Sequence, residues 1–158
     1  MRRRKYPDSR YFEDFEVGET FYIPSRTVGD GQFSAFQAAS GDNHPIHYDL
    51  EYCRAHGHPD LLAHGFQVAI QTAPGAGDFP FLVEESLVGF IDQSSRFLKP
   101  VYRGDTLYPA LAVAALKPGR TTGVVTLRST VHNQRDDLVL EGEMNFLIRK
   151  RAAAGVAT

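Results

Sequence analysis

The chain has 158 residues, one domain's worth, and 42% hydrophobic residues supply enough apolar side chain for a real core. Charged residues make up 23% and the formal net charge is −2, so composition gives no electrostatic case for nucleic acid or a membrane as partner. A single cysteine, Cys53, rules out an intrachain disulfide and fits a reducing cytoplasm.

Residues 1–10 begin with the basic run Arg2, Arg3, Arg4, Lys5, with no apolar stretch behind it, and read as a flexible terminus rather than a secretory signal. A single domain follows over 11–150, and the small, unpatterned residues 151–158 read as a flexible tail. Residues 12–15 and 20–27 read as short strands around a turn at Val17-Gly18-Glu19. Asp30 can cap a helix that carries Phe33 and Phe36 on one face and ends at Gly41. The His- and Pro-rich stretch 42–59 reads as irregular, with one short helix over 50–55. A second helix starts near Gly65, with Phe66, Ala69, Ile70 and Ala73 in one apolar stripe. Val68 and Ala76 on its other side leave so little polar surface that the helix should be buried, ending at Gly75 and Gly77.

The remaining runs, 87–97, 106–115, 122–132 and 138–149, alternate as strands. Leu107, Leu111 and Val113, then Val125, Leu127 and Val131, then Leu138, Leu140, Met144, Phe146 and Ile148 mark the inward faces. Turns at Arg103-Gly104-Asp105, Pro118-Gly119-Arg120 and Gln134-Arg135-Asp136 predict an antiparallel meander around one helix, an α+β arrangement.

Five of the six histidines lie between His44 and His64. In Ser40-Gly41-Asp42-Asn43-His44-Pro45-Ile46-His47, an acid and a base five residues apart can face one small volume from a loop held by Gly and Pro. Taken alone, Asp42 could be a helix-end turn residue and His47 a satisfied polar one. His44 with His47, or His56 with His58, lacks the Cys or carboxylate partner of a familiar zinc spacing, so no metal is expected. Cys53 reads as a small packed residue, and Phe79, Phe81 and Leu82 around Pro80 as a wall of a pocket.

Asp42-x4-His47 resembles the hydratase signature of MaoC-like proteins, including the (R)-specific enoyl-CoA hydratases. Tyr11 through Gly18, Ala63-His64-Gly65 and Arg96 through Thr106 are similar to further family segments in the same order, over nearly the whole chain. The resemblance implies a hot-dog fold, a homodimer or higher homo-oligomer, and an acyl-CoA thioester as substrate with no separate cofactor. It implies that Asp42 and His47 activate a water. The Gly65 N–H, unpaired at a helix start and with no Cβ in the way, is expected to receive the thioester oxygen. His64 is expected to orient the turn into the helix beside the substrate, and Arg96, Lys99 and Arg103 could meet the phosphates of CoA. Where the family often has Asn two residues after the Asp, this chain has His44, which bears on the positioning of substrate or water. The implied reaction is water addition to a 2-enoyl-CoA, or its reverse. The alternatives are a thioesterase, disfavoured because residues 66–77 carry no Asp or Glu, and a non-catalytic acyl-CoA-binding subunit.

Overall fold

A computed structural model describes residues 8–151. Six strands, β1 (Thr20–Tyr22), β2 (Arg26–Thr27), β3 (Leu87–Phe97), β4 (Thr106–Pro118), β5 (Thr122–His132) and β6 (Leu138–Arg149), form an antiparallel sheet. Its order is β1-β4-β5-β6-β3, with β2 paired to the start of β4. The alternation that predicts the long strands also sets their inner faces. Leu107, Leu111, Val113, Val125, Leu127, Val131, Leu140, Met144, Phe146 and Ile148 are all buried. The expected meander holds for β4 to β6 only: β3 pairs with β6 and lies across the sheet from β4, so the Arg103-Gly104-Asp105 turn joins no hairpin. The other two predicted turns close: the Gly119 N–H donates to the Thr122 carbonyl at 2.8 Å between β4 and β5. Between β5 and β6, the Asn133 side-chain oxygen accepts the N–H groups of Arg135 and Asp137, which supports the left-handed backbone at Asp136 (φ 62°).

Gly142, in the middle of β6, faces the Ser94 carbonyl oxygen so closely that a Cβ would lie 2.1 Å from it. Gly142→Ala is therefore expected to force β3 away from β6 and to cost about 2 kcal/mol of stability, measurable as a lower midpoint of denaturant unfolding.

Four helices fill the spaces between strands: α1 (Asp30–Ser40), α2 (Leu50–Ala55), α3 (Gly65–Ala69) and α4 (Phe79–Leu82). Several expectations are corrected. Residues 12–14 form a 3-10 turn rather than a strand, because the Tyr11 N–H is captured by the Asp14 carboxylate. The 20–27 run is split into β1 and β2 around Pro24, which has no N–H for a ladder. Gly29, not Asp30, is the N-cap of α1; its N–H is taken by Gln32, while Asp30 pairs with Arg103. Of the termini expected to be flexible, 1–7 and 152–158 lie outside the described residues. Ser9 and Arg10 are bound to the Leu82 carbonyl, Arg10 pairs with Glu19, and Arg151 pairs with Asp14.

The central helix shows the largest difference. Its α-helical part ends at Ala69, a 3-10 turn continues over Ile70–Thr72, and Ala73 turns extended (ψ 119°) because Pro74 follows it. The face packed against the chain's own core is Gln67, Val68, Ala69, Gln71 and Thr72. Phe66 and Ile70, from the apolar stripe, are 77% and 54% exposed. Periodicity correctly marks an apolar face there, but the sheet of this chain does not cover it. Two core clusters result. One, under the sheet's middle, gathers Phe15, Phe21, Phe79 and Phe146; the other gathers Phe33, Cys53, Val68, Leu107 and Leu140 beneath the loop that carries the histidines. Phe79 is thus a core residue and not a pocket wall.

Candidate active site

The loop after α1 is shaped by local hydrogen bonds. Gly41 takes the left-handed conformation (φ 70°) and caps α1 through the Gln37 carbonyl. The Asp42 carboxylate accepts the His44 N–H at 3.2 Å, and His44 Nδ1 accepts the Ile46 N–H at 3.3 Å. Pro45 opens a 3-10 turn, Pro45–His47, whose Ile46 carbonyl accepts both the Leu62 N–H and the buried Cys53 thiol. The turn is thereby pinned to the segment leading into α3. His47 is fixed from the same segment, 2.5 Å from the Leu62 carbonyl through Nδ1. A carbonyl can only accept, so Nδ1 carries the hydrogen and Nε2 keeps a lone pair. Burial lowers the His47 pKa below its ordinary value, a pull stronger than the opposing one from the Leu62 carbonyl.

His64, the N-cap of α3, is 3% exposed. Its ring stacks on that of His47 with centroids 3.6 Å apart, and its Nε2 lies 3.9 Å from the Asp42 carboxylate. One ligand atom each from Asp42, His47 and His64 fall within 4.8 Å of one another. These three, with Gly65, line a cavity of about 430 Å³ that Phe36, Phe66 and Phe97 also border. Gly65 is the first residue of α3, where a backbone N–H precedes the intrahelical pattern. A Cβ there would stand 3.2 Å from the Phe97 ring. The arrangement brings a carboxylate, an imidazole and the first residue of a helix to one small cavity. The same two imidazoles and carboxylate are also the donor set with which the site could hold a divalent cation. They are not either of the histidine pairs weighed from sequence.

The model of the MaoC like domain matches residues 14–134. The chain belongs to the MaoC-like family. A "UPF0336 protein" of Streptomyces griseus is 33% identical over 138 residues, 84% of this chain and 92% of that one. Mesaconyl-CoA hydratase of Cereibacter sphaeroides is 32% identical over 94% of this chain, which spans only 43% of that enzyme. An (R)-specific enoyl-CoA hydratase of Rhodospirillum rubrum is 27% identical, covering 89% and 93%. Among solved structures, an Archaeoglobus monoamine oxidase regulatory protein superposes with a TM-score of 0.83 at 30% identity over 91% and 97% of the two chains. A conserved hypothetical protein of Mycobacterium tuberculosis with a double hot-dog fold gives 0.75 at 27% over 94% and 47%. The fold of this chain is the α+β hot-dog fold, as the resemblance implies.

Within this MaoC-like site, the structure brings together Asp42, His47, His64 and Gly65. His44 does not line their cavity; it caps the Pro45–His47 turn and meets Tyr52 edge-on. Arg96 pairs with Glu141 on the sheet, and Arg103 with Asp30 and Asp60, so both guanidinium groups already have carboxylates. Lys99 pairs with Asp137 and lines a neighbouring cavity that shares Gly65 and Phe97 with the site. Of the three cations, it alone borders the site in this way. Sequence reasoning missed Tyr48, whose hydroxyl lies 3.1 Å from His64 Nε2, and Gln67, which accepts from His64 Nδ1 at 3.1 Å. It also missed Phe66 and Phe97 as the walls between the site and a further apolar cavity. The one available signal was Gln67 and Gln71, two polar residues four apart in an otherwise apolar helix.

Proposed function

We propose that the protein is an acyl-CoA hydratase or dehydratase, adding water reversibly to a 2-enoyl-CoA to give a 3-hydroxyacyl-CoA. The observation that carries this reading is the convergence of Asp42 and His47, whose Nε2 keeps its lone pair, on one cavity also lined by Gly65 at the start of α3. A water held between carboxylate and imidazole gives a proton to His47 as its oxygen bonds to Cβ. The electron pair of the double bond moves onto the thioester oxygen, which the Gly65 N–H receives. The proton returned to Cα from the acid–base pair completes the addition and leaves the site as it began. The reaction needs no cofactor beyond the coenzyme A of its substrate.

The acyl chain fits a cavity of about 410 Å³ adjoining the site past Phe66 and Phe97, lined by Ile70, Ala73, Phe90 and Met144 among others. That cavity lies on the uncovered face of α3. Next to it, β3 is an edge strand with Leu87, Val88, Phe90, Ile91 and Phe97 all exposed. A second copy of the chain pairing at this edge would cover both, which supports a homodimer; elution at the monomer size at micromolar concentration would contradict it. No helix of the described residues is long and apolar enough to cross a membrane. The buried free thiol of Cys53 suits a cytoplasmic setting.

Crotonyl-CoA tests the reaction. Hydration consumes the enoyl absorbance without releasing thiol, which is the expected result. Thiol release without loss of the double bond would make the protein a thioesterase instead.

A further inference from the structure

A second imidazole lies flat against His47, yet the water-addition scheme needs only one. Both nitrogens of His64 are committed. The Gln67 side-chain oxygen accepts the His64 backbone N–H at 3.4 Å and faces Nδ1 at 3.1 Å. An oxygen already accepting from the same residue makes Nδ1 the protonated nitrogen. Nε2 therefore holds a lone pair, and the Tyr48 hydroxyl donates to it at 3.1 Å. Tyr48 is a secure donor, because burial and then the nearby Asp42 charge raise its pKa above the ordinary phenol value. The charged or titratable groups that face His64 are Asp42, His47 and Tyr48; α1 contributes only the rings of Phe33 and Phe36.

Gln67 is 1% exposed, and its side-chain nitrogen has no hydrogen-bond partner among the described residues. A buried donor without an acceptor lowers stability. What Gln67 adds is its oxygen, aimed at His64.

We propose that Tyr48, His64 and Gln67 form a positioning array that fixes the Nδ1–H tautomer of His64 with its Nε2 lone pair covered, so that the water proton goes to His47 alone. This rests on the hydratase reading. The stack on His64 also keeps the His47 ring in the plane that presents its own Nε2 to the cavity.

The test combines nitrogen NMR of the histidine rings with kinetics on the full chain. In the unmodified protein, His64 should show a protonated Nδ1 and a bare Nε2 at neutral pH. Gln67→Met should release the tautomer, while kcat falls about 10-fold with KM nearly constant. Tyr48→Phe should uncover Nε2 and lower kcat with KM nearly constant. Finding His64 as the Nε2–H form overturns the array, as does a Gln67→Met enzyme with full kcat. The NMR measurement needs no turnover. An inactive protein with the expected tautomer would reject the reaction and not the array, whereas an active one with the wrong tautomer would reject the array alone.

Discussion

Asp42→Asn is expected to lower hydratase turnover by about 100-fold or more, equivalent to about 2.7 kcal/mol of lost transition-state stabilisation. Asp42 has its side chain half exposed, so the fold does not depend on its charge. Asparagine keeps a side-chain oxygen for the His44 N–H, and the turn into Pro45 survives. What disappears is the carboxylate that accepts from the attacking water and offsets the positive charge on His47 as the proton arrives. Steady-state rates on crotonyl-CoA, with thermal unfolding to show an intact protein, separate these effects. A variant that retained most of its rate would remove Asp42 from the chemistry.

His47→Gln is expected to cost a similar factor of about 100 or more. A glutamine amide cannot take up the water's proton, although it can donate to the Leu62 carbonyl. The pH dependence carries the sharper signature. Burial holds the His47 pKa below the ordinary imidazole value of 6.5. The neutral ring is the active base, so lowering its pKa keeps the base available to lower pH. The acidic limb of kcat/KM should therefore fall below pH 6.5 and not above it, and it should vanish in the His47→Gln protein. A limb well above that value would mean that Asp42 dominates the environment of His47 rather than burial.

The strands after Leu87 are legible because one face is core and the other solvent, so a period of two is written into residues such as Val125, Leu127 and Val131. Gly41 and the short helix over Leu50–Ala55 are legible for similarly local reasons, a left-handed turn and an Asp49 cap. The central helix is only half legible. Its stripe of Phe66 and Ile70 says "apolar", and nothing local says whether the chain's own sheet or something else covers that stripe. In the site, Asp42 and His47 stand out because both lie in one short loop. His64 joins them only because the Leu62 carbonyl and the Ile46 backbone fold the next segment back onto that loop. Tyr48 and Gln67 become visible only once His64 is placed between them. Arg96 and Arg103 read as phosphate ligands because sequence shows their charge and not the carboxylates that meet them across the sheet and at the end of α1.

Incubation of crotonyl-CoA with the protein in water enriched in heavy oxygen, followed by mass analysis of the products, reports where the water oxygen is delivered. Heavy oxygen on the C3 hydroxyl of an intact 3-hydroxyacyl-CoA, formed by the unmodified protein and not by Asp42→Asn, is the predicted result. Label in the carboxylate of a free acid, with coenzyme A released, would contradict it.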